Sequence, residues 1–323
     1  MTKYVISGYI GFDNFGDEAI AKVLISHLKS KDAKKITVLS SNPEKTAKLY
    51  DVCSVNFLRF VRPIWESDVL ISGGGSLLQD ITSLKSLIYY LVIILTALVL
   101  NKKVVIFAQG FTPFRTKIGK FLTRFVLKYC ELIYVRDAKS QEILKGLNLE
   151  SKLLSDPVFG MEVPSLKVKQ GVGVQLRGFH SFTSEFMENL ANEIAKRFPY
   201  EKIKLFSLQD TMDLPVLIEF SDILKKRGID FEIYKNLNVE DVINELSKLE
   251  YLIGMRFHAN LVAVKAGVKV LGINYDIKVL SLAQYVGFPV IGLAEVSFER
   301  EFDELFNIDV EKYQMPEFEF PKI

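Results

Sequence analysis

The sequence predicts an α/β chain built as two doubly wound parallel sheets. Three observations carry that expectation. Short β-branched runs alternate with helical stretches along nearly the whole chain, the βαβα order that builds parallel sheets. Most of these runs are continuously apolar rather than alternating, as strands covered on both faces are. The 323 residues, 49% hydrophobic and 25% charged, are too many for one core and suit two globular domains of about 150 residues each.

Strands are expected in the first half at 3–7, 36–40, 68–71, 103–108 and 132–135. In the second half they are expected at 171–175, 203–207, 230–234, 251–253 and 269–273. Between the halves, residues 155–165 hold Pro157 and Pro164 and lack helical period, which places the linker there. The expected domains are 1–160 and 168–297, with a tail, 298–323, rich in Glu, Phe and Pro and returning to pack on the first domain. Ligands of such sheets bind outside the carboxyl ends of the strands, so the cleft that two facing domains form is the expected site.

The balance of 41 basic and 39 acidic residues leaves a net charge of +2, which argues against a general nucleic-acid binder. Cys53 and Cys130 lie far apart and form no CxxC pair. A cysteine-built metal site is therefore not expected, and a reduced, cytoplasmic setting fits. A strand beginning at residue 3 leaves no room for a signal peptide.

The motifs fall at the strand ends. After the first strand, the loop Gly8–Glu18 holds Gly11, Asp13, Asn14, Gly16 and Asp17, residues suited to unusual backbone angles. Its spacing is neither GxGxxG nor a P-loop. Asp13, Asp17 and Glu18 offer carboxylates for sugar hydroxyls or for general-base work. Asp17 also reads as the N-cap of a helix expected from 18 to 29. The third strand ends in Gly73, Gly74, Gly75 and Ser76, where a ligand or another backbone can approach closely. Gln109 and Gly110 close the fourth strand, and Arg136 follows the fifth, to pair locally or bind an anion.

In the second half, Arg177 follows the first strand, Gln209 and Asp210 the second, Arg256 and His258 the fourth, and Lys278 the fifth. Cations at successive strand ends favour a polyanionic ligand, held by arginine forks and helix N-termini. His258 adds a proton donor. His27, inside an apolar helix, reads as a core or boundary residue, and His180 sits in a loop or at a helix start.

Residues 87–100 form an uncharged apolar run, shorter than the roughly 20 residues of a membrane span. It reads as a buried or interfacial helix. The helix expected at 116–129 sets Lys117, Lys120, Arg124 and Lys128 on one stripe near Phe121 and Phe125. Such a basic amphipathic pattern fits either a solvated face or an anionic lipid surface, so 84–129 is the candidate for membrane-surface contact.

Taken together, GYIGFDNFGDEAI, GGGSLLQD, RDAKS, the SDP turn, GMRFHA and YDIKV resemble the polysaccharide pyruvyl transferase family, spread in family order over nearly the full length. The likeness is closest to the bacterial cell-wall branch that ketalises a lipid-linked amino sugar. The resemblance implies a GT-B-like pair of Rossmann-type domains, phosphoenolpyruvate as pyruvyl donor, and no metal or other cofactor. It places the arginine and histidine of the family's RxHA element on Arg256 and His258, and a donor-binding arginine on Arg177. Gly11, Asn14, Gly16 and Asp17, with Gly74, Gly75 and Ser76, would face a lipid-linked or polymeric sugar acceptor. The cytoplasmic side of the membrane is the implied location. This chain departs from the family after its second C-domain strand, where only Gln209 and Asp210 stand.

The implied chemistry suits the residues. His258 would protonate the enol methylene, Asp13 or Asp17 would take the hydroxyl proton, and Arg177, Arg256 and Lys278 would hold the carboxylate and phosphate. Two rivals remain at this level: a GT-B glycosyltransferase using a nucleotide sugar, and a non-catalytic glycan- or anion-binding protein.

Overall fold

Two all-parallel sheets form from the apolar runs. The computed structural model describes residues 1–81, 83–179 and 182–323, so His180 lies outside the described residues. The first sheet comprises β1 (Lys3–Ser7), β2 (Lys35–Ser40), β3 (Cys53–Asn56), β4 (Val69–Ser72), β5 (Lys103–Gln109), β6 (Leu132–Val135) and β7 (Lys152–Leu153), in the order β3-β2-β1-β4-β5-β6-β7. The second comprises β8 (Val172–Gln175), β9 (Ile203–Phe206), β10 (Phe231–Tyr234), β11 (Tyr251–Gly254), β12 (Lys269–Asn274) and β13 (Val290–Gly292), in the order β10-β9-β8-β11-β12-β13. The sequence reading lacks β3, β7 and β13. All three are short edge strands, and an edge does not demand the continuous apolar run that marks a central strand.

In each sheet the strand order reverses once, between β1 and β4 and between β8 and β11. That switch point is where neighbouring loops diverge and leave a crevice at the carboxyl ends. The registers bring Ser7 level with Ser72 and Gln175 level with Gly254. The glycine loop and the GGGS turn therefore leave the first sheet side by side. The Arg177 turn and the GMRFHA turn leave the second in the same way.

The helices of the first unit are α1 (Phe15–Ser30), α2 (Pro43–Tyr50), α3 (Val61–Glu66), α4 (Leu84–Val99), α5 (Lys117–Leu127) and α6 (Ala138–Lys145); those of the second are α7 (Ser184–Arg197), α8 (Asp210–Lys226), α9 (Val239–Ser247), α10 (Phe257–Lys265), α11 (Ile277–Val286) and α12 (Glu299–Phe306). α1 starts three residues earlier than expected because Asn14, not Asp17, is its N-cap, accepting from the Gly16 amide at 3.1 Å. α4 is buried along one side through Leu87, Leu91, Ile94 and Ala97, while Ile88, Val92, Leu95 and Val99 are exposed. Among the described residues no helix is long and apolar enough to cross a membrane.

The chain divides into Met1–Met161 with Pro316–Ile323, and Glu162–Met315. The front of the expected linker belongs to the first unit, where Asp156, Pro157, Val158 and Phe159 are buried. The expected tail is also split. Phe298, Phe302 and Leu305 of the α12 region are buried in the core of the second unit, because the apolar side of this helix completes that core. Only Pro316–Ile323 joins the first unit. There Phe320 stacks on His27, ring centroids 3.6 Å apart, and on Phe107. His27 is thus a boundary residue. Burial, then the nearby Lys31 charge, lowers its pKa.

Candidate functional site

The second unit concentrates charge at its switch point. β8 ends in Gln175, wholly buried, whose Oε1 accepts from the Arg256 amide at 2.7 Å. That bond fixes the start of α10, for which Arg256 is the N-cap residue. The Arg256 side chain, expected from the sequence to hold the donor, is engaged within the protein instead. Its fork is closed on Asp213 of α8: Nε donates to Oδ2 at 2.9 Å and Nη2 to Oδ1 at 2.6 Å. Nη2 also reaches Gln209 Oε1 at 3.2 Å. Asp213, fully buried, accepts as well from the Leu208 and Gln209 amides and from Gln175 Nε2.

Arg256 and Asp213 thus form a buried pair with most valences filled, the condition under which such a pair is tolerated. The pair ties three successive strand ends, after β8, β9 and β11, into one rigid rim. Of the two polar residues after β9, Gln209 joins this network. Asp210 turns away, accepting from Ser207 Oγ and the Asn236 amide.

Arg177 is less fully bonded among the described residues. It is half-buried. Its amide donates to Met255 Sδ, Nη1 makes a long bond to the Tyr275 hydroxyl at 3.4 Å, and the guanidinium lies 5.8 Å from the Tyr275 ring centroid. Its Nε is buried and has no hydrogen-bond partner among the described residues. A buried donor left unsatisfied costs about 1–3 kcal/mol. Tyr275 leads into α11, where Asp276 caps the helix and Lys278 sits in its first turn. Lys278 Nζ is 3.9 Å from Asp276 Oδ2. His258 occupies the second position of α10, packed edge-on against Phe257 at 5.0 Å. Arg177, His258 and Lys278 therefore follow β8, β11 and β12, three adjacent strands.

The first unit builds its switch point from small and aromatic residues. Gly11 is left-handed (φ +82°), and a β-carbon there would lie 2.7 Å from the Asn42 amide nitrogen. Glu18, which α1 carries into this loop, accepts from the Gly11 amide and the Tyr50 hydroxyl, both at 2.6 Å. Burial raises its pKa against the lowering effect of those two bonds. Asp13 is exposed and ion-paired with Lys45 at 2.6 Å. The GGGS glycines are buried against α1: a β-carbon on Gly74 would stand 2.6 Å from Ile20 Cγ2, and one on Gly75 (φ +87°) 2.5 Å from Asp17 Oδ1. Gln109, wholly buried, staples this turn by donating to Gly73 O at 2.7 Å and accepting from the Leu77 amide. Arg136 takes the local option, bonding Ser76 Oγ at 3.0 Å and Asp156 at 3.2 Å. Asp80, last residue of the GGGSLLQD motif, accepts from the Thr116 amide and hydroxyl and so anchors the start of α5.

Sequence reasoning missed two features. Asp213 pairs with a residue 43 positions away, and no local spacing announces that. Gln175 carried a signal, because an amide at the end of a buried strand needs partners. In the first unit, Tyr9 and Phe12 stack face to face at 4.1 Å, and Phe57 and Tyr89 extend the cluster. These partly exposed rings, beside the β1 loop, form the kind of flat apolar surface on which a sugar ring packs. Among the described residues no group of three or more His, Cys, Asp or Glu is placed to hold a metal ion.

A family model described as polysaccharide pyruvyl transferase matches residues 14–277. No curated protein sequence matches the chain. Among solved structures, the UDP-GlcNAc 2-epimerase of Methanocaldococcus jannaschii superposes with a TM-score of 0.67 at 10% identity, covering 98% of this chain and 95% of that one. HepE of Anabaena, in complex with UDP and glucose, gives 0.63 at 11% identity, covering 97% and 92%. UDP-GlcNAc 2-epimerase of Neisseria meningitidis, bound to UDP-GlcNAc, gives 0.62 at 11%, covering 94% and 91%. At such identities the likeness is one of fold: two Rossmann-like α/β domains of the GT-B kind.

Proposed function

Because the chain belongs to the polysaccharide pyruvyl transferase family, we propose that it moves a pyruvyl group from phosphoenolpyruvate to a sugar of a lipid-linked cell-wall glycan precursor, forming a cyclic ketal. The observation that carries the donor assignment is Arg177, whose buried Nε lacks a partner among the described residues at the switch point of the second sheet. A carboxylate or phosphate oxygen satisfies that donor. Lys278 and the amides opening α10 and α11 supply the rest of the positive field. The reaction calls for no metal, since these groups carry the charge stabilisation.

In the proposed reaction His258 gives a proton to the methylene carbon, leaving carbon 2 electrophilic. A sugar hydroxyl bonds to carbon 2 and releases its proton to a carboxylate. A second hydroxyl of the same sugar then bonds to carbon 2 and gives its proton to the departing phosphate as the carbon–oxygen bond to phosphate breaks, yielding ketal and inorganic phosphate, while the proton held by the carboxylate restores His258 by way of solvent. We assign the acceptor to the first unit, with the Tyr9–Phe12 stack as its platform and Asp13 or Asp17 as base. Arg256 acts by positioning: locked to Asp213, it sets the start of α10 and so the place of His258.

Thermal unfolding with added ligand tests the donor, because a ligand that binds only the folded state raises Tm. Phosphoenolpyruvate should stabilise the protein, and Arg177→Ala should abolish that shift while leaving the unliganded Tm near wild type. His258→Ala should keep the shift and lose phosphate release by about 100-fold or more, the usual worth of a general acid. Stabilisation by a UDP-sugar alone would replace this reading with a glycosyltransferase.

A further inference from the structure

Residues 81–130 hold eight lysines and arginines and no aspartate or glutamate, in a chain of net charge +2. The rest of the sequence is therefore net negative, and the positive charge is gathered where α4 and α5 form. α5 displays it as an exposed stripe, Lys117, Lys120, Arg124 and Lys128, at helical spacing. One position along runs a second exposed stripe: Ile118, Phe121, Phe125 and Tyr129, at 60%, 66%, 43% and 57% exposure. The opposite face, with Thr123, Val126 and Leu127, is buried.

The rings are ordered. Phe121 and Phe125 stack at 6.2 Å, and Lys128 Nζ lies 4.6 Å from the Tyr129 ring centroid. α4, in contact with α5, adds its own exposed apolar stripe from Ile88 to Val99. Three aromatic side chains in a row, held at the surface beside four cations, need a partner that is apolar and anionic at once.

We propose that this α4–α5 face docks on an anionic lipid surface, with α5 lying in the headgroup plane. The rings would enter the boundary between headgroups and acyl chains, and the basic stripe would meet lipid phosphates. Neither helix is long enough to span the bilayer. A second copy of the chain fits worse, because a two-fold contact sets the same patch on both sides and would bring these cations together with no carboxylate between them.

Flotation of the intact chain with vesicles tests the proposal and involves neither phosphoenolpyruvate nor phosphate release, so its outcome is separate from that of the pyruvyl-transfer reading. The chain should float with mixed phosphatidylglycerol–phosphatidylcholine vesicles at low salt, and not with phosphatidylcholine alone. Lys120→Gln/Arg124→Gln should weaken partitioning about thirtyfold, at about fivefold per surface charge. Phe121→Ser/Phe125→Ser should weaken it too, but leave its salt dependence in place. All four side chains are exposed, so both variants should keep the wild-type Tm and circular dichroism. Absence of flotation on the anionic vesicles overturns the proposal, as does flotation unchanged in both variants. A dimer that Phe121→Ser/Phe125→Ser dissociates, without lipid binding, would assign the face to a second copy instead.

Discussion

The two switch points share a topology and differ in what fills them. In the second unit the rim is ionic: its most conspicuous cation is paired with Asp213, while Arg177 keeps a buried Nε without a partner among the described residues. In the first unit the rim is glycine and aromatic rings, and its polar side chains, Glu18, Gln109 and Arg136, bond mainly to neighbouring loops. The same strand order thus carries a buried ionic network in one half and glycine turns beside stacked rings in the other. A motif residue is not a ligand-binding residue until its partners are counted.

Removing Asp213 is the strongest way to break the comparison. Asp213→Ala leaves the Arg256 guanidinium buried without its counter-charge and strips the Leu208 and Gln209 amides of their acceptor. Breaking a buried pair from one side costs about 3–5 kcal/mol, and denaturant unfolding should show a loss of that size. Asp213→Leu/Arg256→Met should recover much of the stability but not the turnover, since the start of α10 loses its anchor. A loss under about 1 kcal/mol for Asp213→Ala would mean that the pair does not hold the rim together.

Gly74→Ala sharpens the other side. Its β-carbon would stand 2.6 Å from Ile20 Cγ2, so α1 or the turn must shift. Overpacking of this kind costs about 1–3 kcal/mol. Phosphoenolpyruvate should raise the Tm of this variant as much as that of wild type, if the donor site is confined to the second unit. Loss of the ligand shift would remove the division of labour between the two rims.

What the sequence made legible follows from what each residue must satisfy locally. Strands such as β5 and β12 announce themselves because both of their faces are covered and their central residues are apolar. β3 and β7, at an edge and partly solvated, carry no such demand. The start of α1 was misplaced because Asn14 and Asp17 are both good caps, and only the bond to the Gly16 amide decides between them. Arg256 and His258 were visible as a pair after a strand. That the arginine is spent on Asp213 depends on α8 folding back from a different strand, and long-range pairing leaves no trace in spacing. Glu18 was visible only as one of three nearby carboxylates.

Glu18 gives the smallest effect and the finest test of how the first rim is built. Burial, the largest influence, raises its folded pKa above the ordinary carboxylate value, against the bonds from Tyr50 and Gly11. A group raised in this way contributes stability that is fully present below its unfolded pKa and lost as pH rises through the folded one. At neutral pH the ionised carboxylate is therefore a net cost relative to an uncharged acceptor of the same shape. Glu18→Gln keeps an oxygen for the Gly11 amide and a partner for the Tyr50 hydroxyl. The Tm of the variant relative to wild type should accordingly climb as pH rises above the ordinary carboxylate value of 4.5. If instead the variant is less stable by a constant margin across that range, the carboxylate is not strained by burial, and its negative charge is what holds the glycine loop.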